Sequence, residues 1–146
     1  MFNLLSEVKQ IIFRVAIYIR LSREDLDKAE STDSLSVNNQ KTVLMEYVKK
    51  NGYTLVDVYI DDGYTGTNFD RPDFNRLISD IESGKVNMVI TKDMSRLGRD
   101  YIGTGNLIEK YFPEQEVRYI AVTDNIDTFL DNSINDIAPF KAIMND

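Results

Sequence analysis

Phe13-Arg14-Val15-Ala16-Ile17-Tyr18-Ile19-Arg20-Leu21-Ser22 is the stretch on which the rest of the chain turns. Phe13 to Ile19 is an apolar, β-branched run, the mark of a strand buried on both faces inside a parallel sheet. Three further runs read the same way: Thr54 to Ile60, Val86 to Thr91 and Val117 to Val122. Helical patterns lie between them. Ser36 is placed as an N-cap ahead of Val37, Gln40, Val43, Leu44, Tyr47 and Val48 at helical spacing, and Asn51-Gly52 closes that helix. Pro72 suits a first helical turn, with Phe74, Leu77, Ile78 and Ile81 as its apolar stripe and Gly84 as its end. After the third strand, Ser95 to Asp100 leads into a helix carrying Ile102, Leu107, Ile108, Tyr111 and Phe112, which Pro113 is expected to stop. A polar loop follows the fourth strand. Ile134, Ile137 and Ala138 then open a last helix that runs to Asp146. Strands alternating with helices predict an α/β fold: a mostly parallel, mixed sheet of four to five strands with helices on both faces.

In such a sheet functional groups gather at the carboxyl ends of the strands. Arg20 and Ser22, Asp61 and Asp62, Lys92 to Arg99 and Thr123 to Asp127 all fall just past strand ends. The topology therefore gives Tyr18-x-Arg20-x-Ser22 and Ser95-Arg96-Leu97-Gly98-Arg99-Asp100 a reason to meet.

Composition narrows the chemistry. The chain has 146 residues, 42% hydrophobic, which suits one domain with a real core. It contains no Cys, so disulfides and thiolate zinc sites are excluded, in keeping with a reducing, cytoplasmic setting. It contains no His, so neither a Ser-His-Asp triad nor a histidine-ligated metal can form. Carboxylate-bound magnesium stays open by composition, given 24 acidic residues. No apolar run is long enough to cross a membrane, and the start lacks the pattern of a secretory signal. The net charge of −7 argues against a polyanion partner when taken alone. The acidic residues are clustered, however, in Glu24 to Asp33 and in Asp124 to Asp136. Arg20, Arg71, Arg96 and Arg99 stand apart from both groups. A local basic pocket on an acidic domain fits a catalytic module whose main hold on DNA lies elsewhere.

A phosphodiester is anionic, and its transition state gathers charge on the non-bridging oxygens. Arginine offers permanent charge and a donor fork that matches them. A serine that attacks phosphorus conserves the bond as a covalent ester. On Tyr18-x-Arg20-x-Ser22, on Ser95 to Asp100, on Asp62-Gly63-Tyr64-Thr65-Gly66 with Arg71-Pro72, and on Ser36-x-x-x-Gln40, the sequence resembles the serine recombinases, the resolvase/invertase group with the large integrases and transposases. The long polar loop looks more like the large, transposon-borne branch. The resemblance runs from residue 13 to residue 146 and implies a three-layer resolvase-like fold. It implies Ser22 as nucleophile, Arg20, Arg71, Arg96 and Arg99 as phosphate and DNA ligands, and Gln40 as a helper. It implies no metal or other cofactor, and strand exchange by a tetramer assembled from homodimers, with sequence-specific DNA binding by further C-terminal domains. Residues 1–12 then form an extension, 13–133 the catalytic domain, and 134–146 the start of a long helix for dimerisation and for reaching DNA. One position departs from the pattern: Ser95 stands where many members carry Asp, which leaves Asp93 or Asp100 as the nearby carboxylate.

Blander readings exist for each residue. Ser22 alone is a loop serine or a cap. Arg96 and Arg99 alone are solvated residues of a first helical turn, although cations there oppose the helix dipole. Tyr18 packs, with a role in ordering the site second to that, Asp61-Asp62 ends a strand, and Gly103-x-Gly105 is too short for a dinucleotide fingerprint. Two other functions compete: a receiver-like signalling domain, on Asp61-Asp62, Thr91 and Lys92, and a non-catalytic assembly domain of the same fold.

Overall fold

The computed structural model describes residues 11–21, 37–61, 71–98 and 101–130. The Ser36 cap, the Asp62 to Asp70 loop and the helix expected from Ile134 lie outside the described residues. Strand β1 (Arg14–Arg20) is followed by helix α1 (Val37–Lys50), strand β2 (Thr54–Asp61), helix α2 (Pro72–Glu82) and strand β3 (Met88–Thr91). A 3-10 turn (Met94–Arg96) then leads towards helix α3. That helix is built from Tyr101–Asn106, a π-helical stretch Leu107–Tyr111 and a last turn Phe112–Glu114. Strands β4 (Arg118–Ala121) and β5 (Ile126–Asp127) complete the described chain.

The sheet order is β2-β1-β3-β4-β5. The first three pairings are parallel and β4 with β5 is antiparallel, so the sheet is mixed, as the sequence implies. Alternation along β1 sorts the core into two layers. Val15, Ile17 and Ile19, with Met88, Ile90 and Ile120, face Leu44 and Val48 of α1. Ala16 and Tyr18, with Tyr59, Val89 and Tyr119, face Leu77 and Ile81 of α2 and Ile108 and Phe112 of α3. Helices therefore cover both faces. No helix among the described residues is long and apolar enough to cross a membrane.

Local chemistry explains most boundaries. Gly52 (φ 71°) and Gly84 (φ 82°) take left-handed conformations at the ends of α1 and α2, where a side chain would be strained. Edge strand β2 carries a bulge: Val15 pairs with Leu55 and Ala16 with Asp57, so Val56 is the extra residue.

Two expectations are corrected. Pro113 does not stop α3, which runs on to Glu114. The π-helical stretch before it, closed by a bond from the Phe112 N–H to the Leu107 carbonyl, shifts the ladder just where proline offers no N–H. The polar loop after β4 is instead a tight turn through Asn125 (φ 57°) that returns the chain as β5, pairing Ile126 with Ala121. The cause is a buried clamp invisible to local pattern. The Arg118 Nε donates to Asp127 Oδ1 at 2.8 Å, and its Nη2 donates to Oδ2. The guanidinium carbon of Arg118 lies 4.9 Å from the ring centre of Phe13, 5.3 Å from that of Phe129 and 5.9 Å from that of Tyr53.

Candidate active site

The carboxyl ends of β1, β2 and β3 bring three of the sequence-selected arginines together. Arg20 ends β1. Its Nε donates to the Arg96 carbonyl at 3.2 Å, and its Nη2 donates to the Ser95 carbonyl. Arg96 answers with Nη1 to the Arg20 carbonyl at 2.9 Å. Arg71, just ahead of α2, places Nη2 3.4 Å from the same Arg96 carbonyl oxygen. Two guanidinium groups thus share one acceptor, and the third belongs to the residue that owns it. Like charges gathered at one end of the sheet repel one another. Backbone carbonyls offset part of that cost, and a bound anion offsets more. Arg96 is 6% exposed, so its charge is held inside the protein.

A tyrosine and an aspartate support Arg71. Tyr18, fully buried on β1, donates its hydroxyl to Asp61 Oδ2 at 2.7 Å. It accepts from Arg71 Nη2 at 3.1 Å and Nε at 3.2 Å. Burial pushes the Tyr18 phenol well above its ordinary range. The Arg71 charge opposes this and the Asp61 hydrogen bond adds to it, so the hydroxyl stays protonated and donates to the carboxylate. Arg71 also lies over the Phe74 ring at 4.0 Å.

Asp61 does more than end a strand. Arg71, at the N-cap position of α2, makes no side-chain cap bond. The orphan amides of Asp73 and Phe74 donate instead to Asp61 Oδ1 and Oδ2, each at 3.0 Å. Asp73 returns the bond by accepting the Ile60 amide at 2.8 Å. The end of β2 and the start of α2 are therefore locked to each other, and Arg71 is fixed between them. Sequence reading missed this role of Asp61. The available signal was a helix opening on Arg71-Pro72 without a Ser, Thr, Asp or Asn cap, which requires an acceptor from elsewhere.

The loop carrying Arg96 is held at each residue from Lys92 to Arg96. Thr123 donates its amide and its hydroxyl to the Lys92 carbonyl, both at 2.8 Å. The Met94 amide donates to Asp124 Oδ2 at 2.6 Å. The Ser95 hydroxyl donates to Asp93 Oδ1, and Asp93 Oδ1 is 3.5 Å from Arg96 Nε.

Gln40 is 1% exposed in the first turn of α1, aligned with Leu44 and Val48 on the face of that helix that meets the sheet. Its helix packs on the sheet face opposite to the one from which Tyr18 projects. Ser22 and Arg99 lie outside the described residues. No group of three or more acidic, His or Cys side chains able to hold a metal occurs among the described residues. Two of the features behind the receiver reading, Asp61 and Thr91, are engaged structurally, and Asp62 lies outside the described residues. Asp61 has both oxygens bonded by Tyr18 and α2. Thr91 is fully buried, its hydroxyl against Tyr119 and bonded to the Asp93 carbonyl at 2.8 Å.

Comparison with known proteins accords with this geometry. The family described as "Resolvase, N terminal domain" matches residues 15–142. A protein of Bacillus subtilis (strain 168) named "Putative DNA recombinase" is 34% identical over 85 residues, which cover 58% of this chain and only 16% of that protein's length. The N-terminal catalytic domain of TP901-1 integrase superposes with a TM-score of 0.75 at 28% identity, over 90% of this chain and 94% of its own. A resolvase family site-specific recombinase from Streptococcus pneumoniae superposes with a TM-score of 0.69 at 28% identity, over 91% of this chain and 86% of its own. The five-stranded mixed sheet flanked by helices is the fold these recombinase catalytic domains share. The chain belongs to the resolvase N-terminal domain family, as a serine recombinase catalytic domain.

Proposed function

We propose that this domain cuts and rejoins DNA through a serine ester. Ser22 attacks a backbone phosphate, its oxygen forms a bond to phosphorus, and the departing oxygen leaves as a free 3′-hydroxyl on the other DNA end. The 5′-phosphoserine linkage keeps the bond energy for the reverse attack that religates a new pair of ends. Arg20, Arg71, Arg96 and Arg99 bind the phosphate and offset the charge that builds on its oxygens, with Gln40 assisting. Neither a metal nor a nucleotide is needed. DNA is the substrate and homodimers pairing into a tetramer are the working unit. Residues 1–12 are an extension, 13–133 the catalytic domain and 134–146 the opening of a long helix. Sequence-specific binding falls to further C-terminal domains, and the protein works in the cytoplasm.

The observation that supports this reading best is the tie between Arg20, Arg71 and Arg96: the first two side chains reach the Arg96 carbonyl, and the Arg96 side chain reaches the Arg20 carbonyl. That cluster stands two residues along the chain from Ser22.

The test is Ser22→Ala in the chain joined to a sequence-specific DNA-binding module, offered DNA carrying that module's sites. The wild-type fusion forms a covalent protein–DNA adduct that survives denaturant, and the variant binds equally but forms none. An adduct from Ser22→Ala would assign the nucleophile elsewhere.

A further inference from the structure

Position 93 carries a carboxylate that the reading above leaves without a task. We propose that Asp93 is the positioning residue of the phosphate site: it fixes the Arg96 guanidinium through Nε and uses the Ser95 hydroxyl as a second tether. The proposal rests on the reading that Arg96 binds a DNA phosphate.

The geometry carries it in three steps. An aspartate ahead of a helical turn ordinarily caps that turn, yet the Asp93 side chain makes no cap bond to the 3-10 turn that follows it. Its Oδ1 instead accepts from the Ser95 hydroxyl and lies 3.5 Å from Arg96 Nε. The backbone of Asp93 is itself fixed. Its carbonyl takes the Thr91 hydroxyl at 2.8 Å and the Arg96 amide at 3.2 Å, and Thr91 leans on the buried hydroxyl of Tyr119. From the other edge of the loop, Asp124 holds the Met94 amide. The carboxylate is therefore a rigid stop against which Arg96 rests. With Nη1 already given to the Arg20 carbonyl, the carboxylate 3.5 Å from Nε holds the guanidinium from its second edge by charge, at a distance too long for a hydrogen bond.

Charge alone predicts the opposite behaviour, and this makes the proposal testable. A carboxylate beside an anion site repels the anion, so removing it tightens binding if charge is all that Asp93 contributes. If Asp93 holds Arg96 in place, removing it weakens binding.

The experiment titrates dimethyl phosphate anion, the smallest phosphodiester, into the 146-residue chain labelled with 15N-arginine, and follows the Nε–H resonances. Asp93→Ala is expected to weaken binding roughly five- to tenfold, the scale of a lost close ion pair near a protein surface, and to shift the Arg96 Nε–H signal. Ser95→Asp added to Asp93→Ala is expected to restore affinity to within about twofold, because the Ser95 Oγ already touches the carboxylate it would replace. Arg96→Ala is the control on the underlying reading and must itself abolish binding. Unchanged or tighter binding by Asp93→Ala, with Arg96→Ala inactive, overturns the positioning role. A loss that Ser95→Asp does not restore also overturns it, because Asp93 then serves the loop fold alone. Binding that survives Arg96→Ala overturns the phosphate-site reading instead.

Discussion

Replacing Asp61 with Asn keeps the shape of the side chain and removes one acceptor oxygen, which makes it a sharp probe of how the site is braced. Asp61 Oδ1 receives the Asp73 amide, and Oδ2 receives both the Phe74 amide and the Tyr18 hydroxyl. All three partners are donors, and the residue is 7% exposed. In either orientation the new amide points an N–H at another donor. Losing one acceptor at a helix start costs about 1 kcal/mol. Losing the negative charge at that helix end adds about 0.5 kcal/mol, and a buried donor without a partner adds about 1–3 kcal/mol. The expected loss is about 3 kcal/mol, or a fall in Tm of roughly 6–12 °C for a domain of this size. Urea unfolding followed by circular dichroism measures it, and the slope m should not change. Tyr18→Phe belongs in the same experiment as the second edge of a double-mutant cycle. The two changes should couple by about 1 kcal/mol or more, since they share a hydrogen bond. An Asp61→Asn protein within about 0.5 kcal/mol of wild type, or strict additivity with Tyr18→Phe, would refute the bracing described for Arg71.

Two further outcomes are expected. Arg118→Ala leaves the Asp127 carboxylate, 14% exposed at its side chain, without its guanidinium and should cost about 3 kcal/mol. The paired replacement Arg118→Met with Asp127→Leu should cost markedly less in the same urea assay, and equal losses would show that the aromatic contacts of Arg118 carry the effect instead. Alkaline pH should destabilise the fold through its tyrosines. Burial lifts the phenols of Tyr18, Tyr59 and Tyr119 well above the usual range, and burial together with the bond to Glu82 pushes Tyr111 up to about 12. A folded-state pKa above the unfolded value of about 10 gives stability that is complete below about pH 10. That stability is lost as pH climbs through the folded values. Urea midpoints should hold steady up to about pH 9.5 and fall beyond it, with tyrosinate absorbance appearing as the chain unfolds. A flat midpoint up to about pH 11.5 would refute this account.

Much of the fold was open to a reader of the sequence because its signals are local. The apolar strands and the helical stripes follow from periodicity. The glycines at 52 and 84 mark the helix ends because left-handed backbone there strains any other residue. The meeting of Arg20 and Arg96 was also legible, since parallel topology sends every strand end to one side; Arg71, ten residues past β2, was selected by the motif it shares with the recombinases instead. What escaped was whatever depends on partners far apart in sequence. β5 is held by an Arg118–Asp127 clamp and by Phe13, more than a hundred residues earlier. Asp61 caps a helix that begins eleven residues later. Pro113 looked like a stop because the rule it follows assumes an undisturbed α-helical ladder, and the π-helical stretch supplies a different one. Tyr18 read first as packing, with ordering of the site second: its ring does pack, with Phe74 edge-on at 5.5 Å, and its hydroxyl also holds Arg71.

The bulge at Val56 has a consequence for how copies of this protein can meet. Strand β2 is the outer strand on one side of the sheet, and a neighbour adding itself there would need an unbroken row of amides and carbonyls. The extra residue breaks that row, and the Asp57–Arg76 pair at 2.7 Å sets charge beside the gap. At the opposite margin, β5 offers two residues among the described ones. Neither border is a good template for a strand from another molecule, so the sheet resists the runaway stacking that leads to fibres.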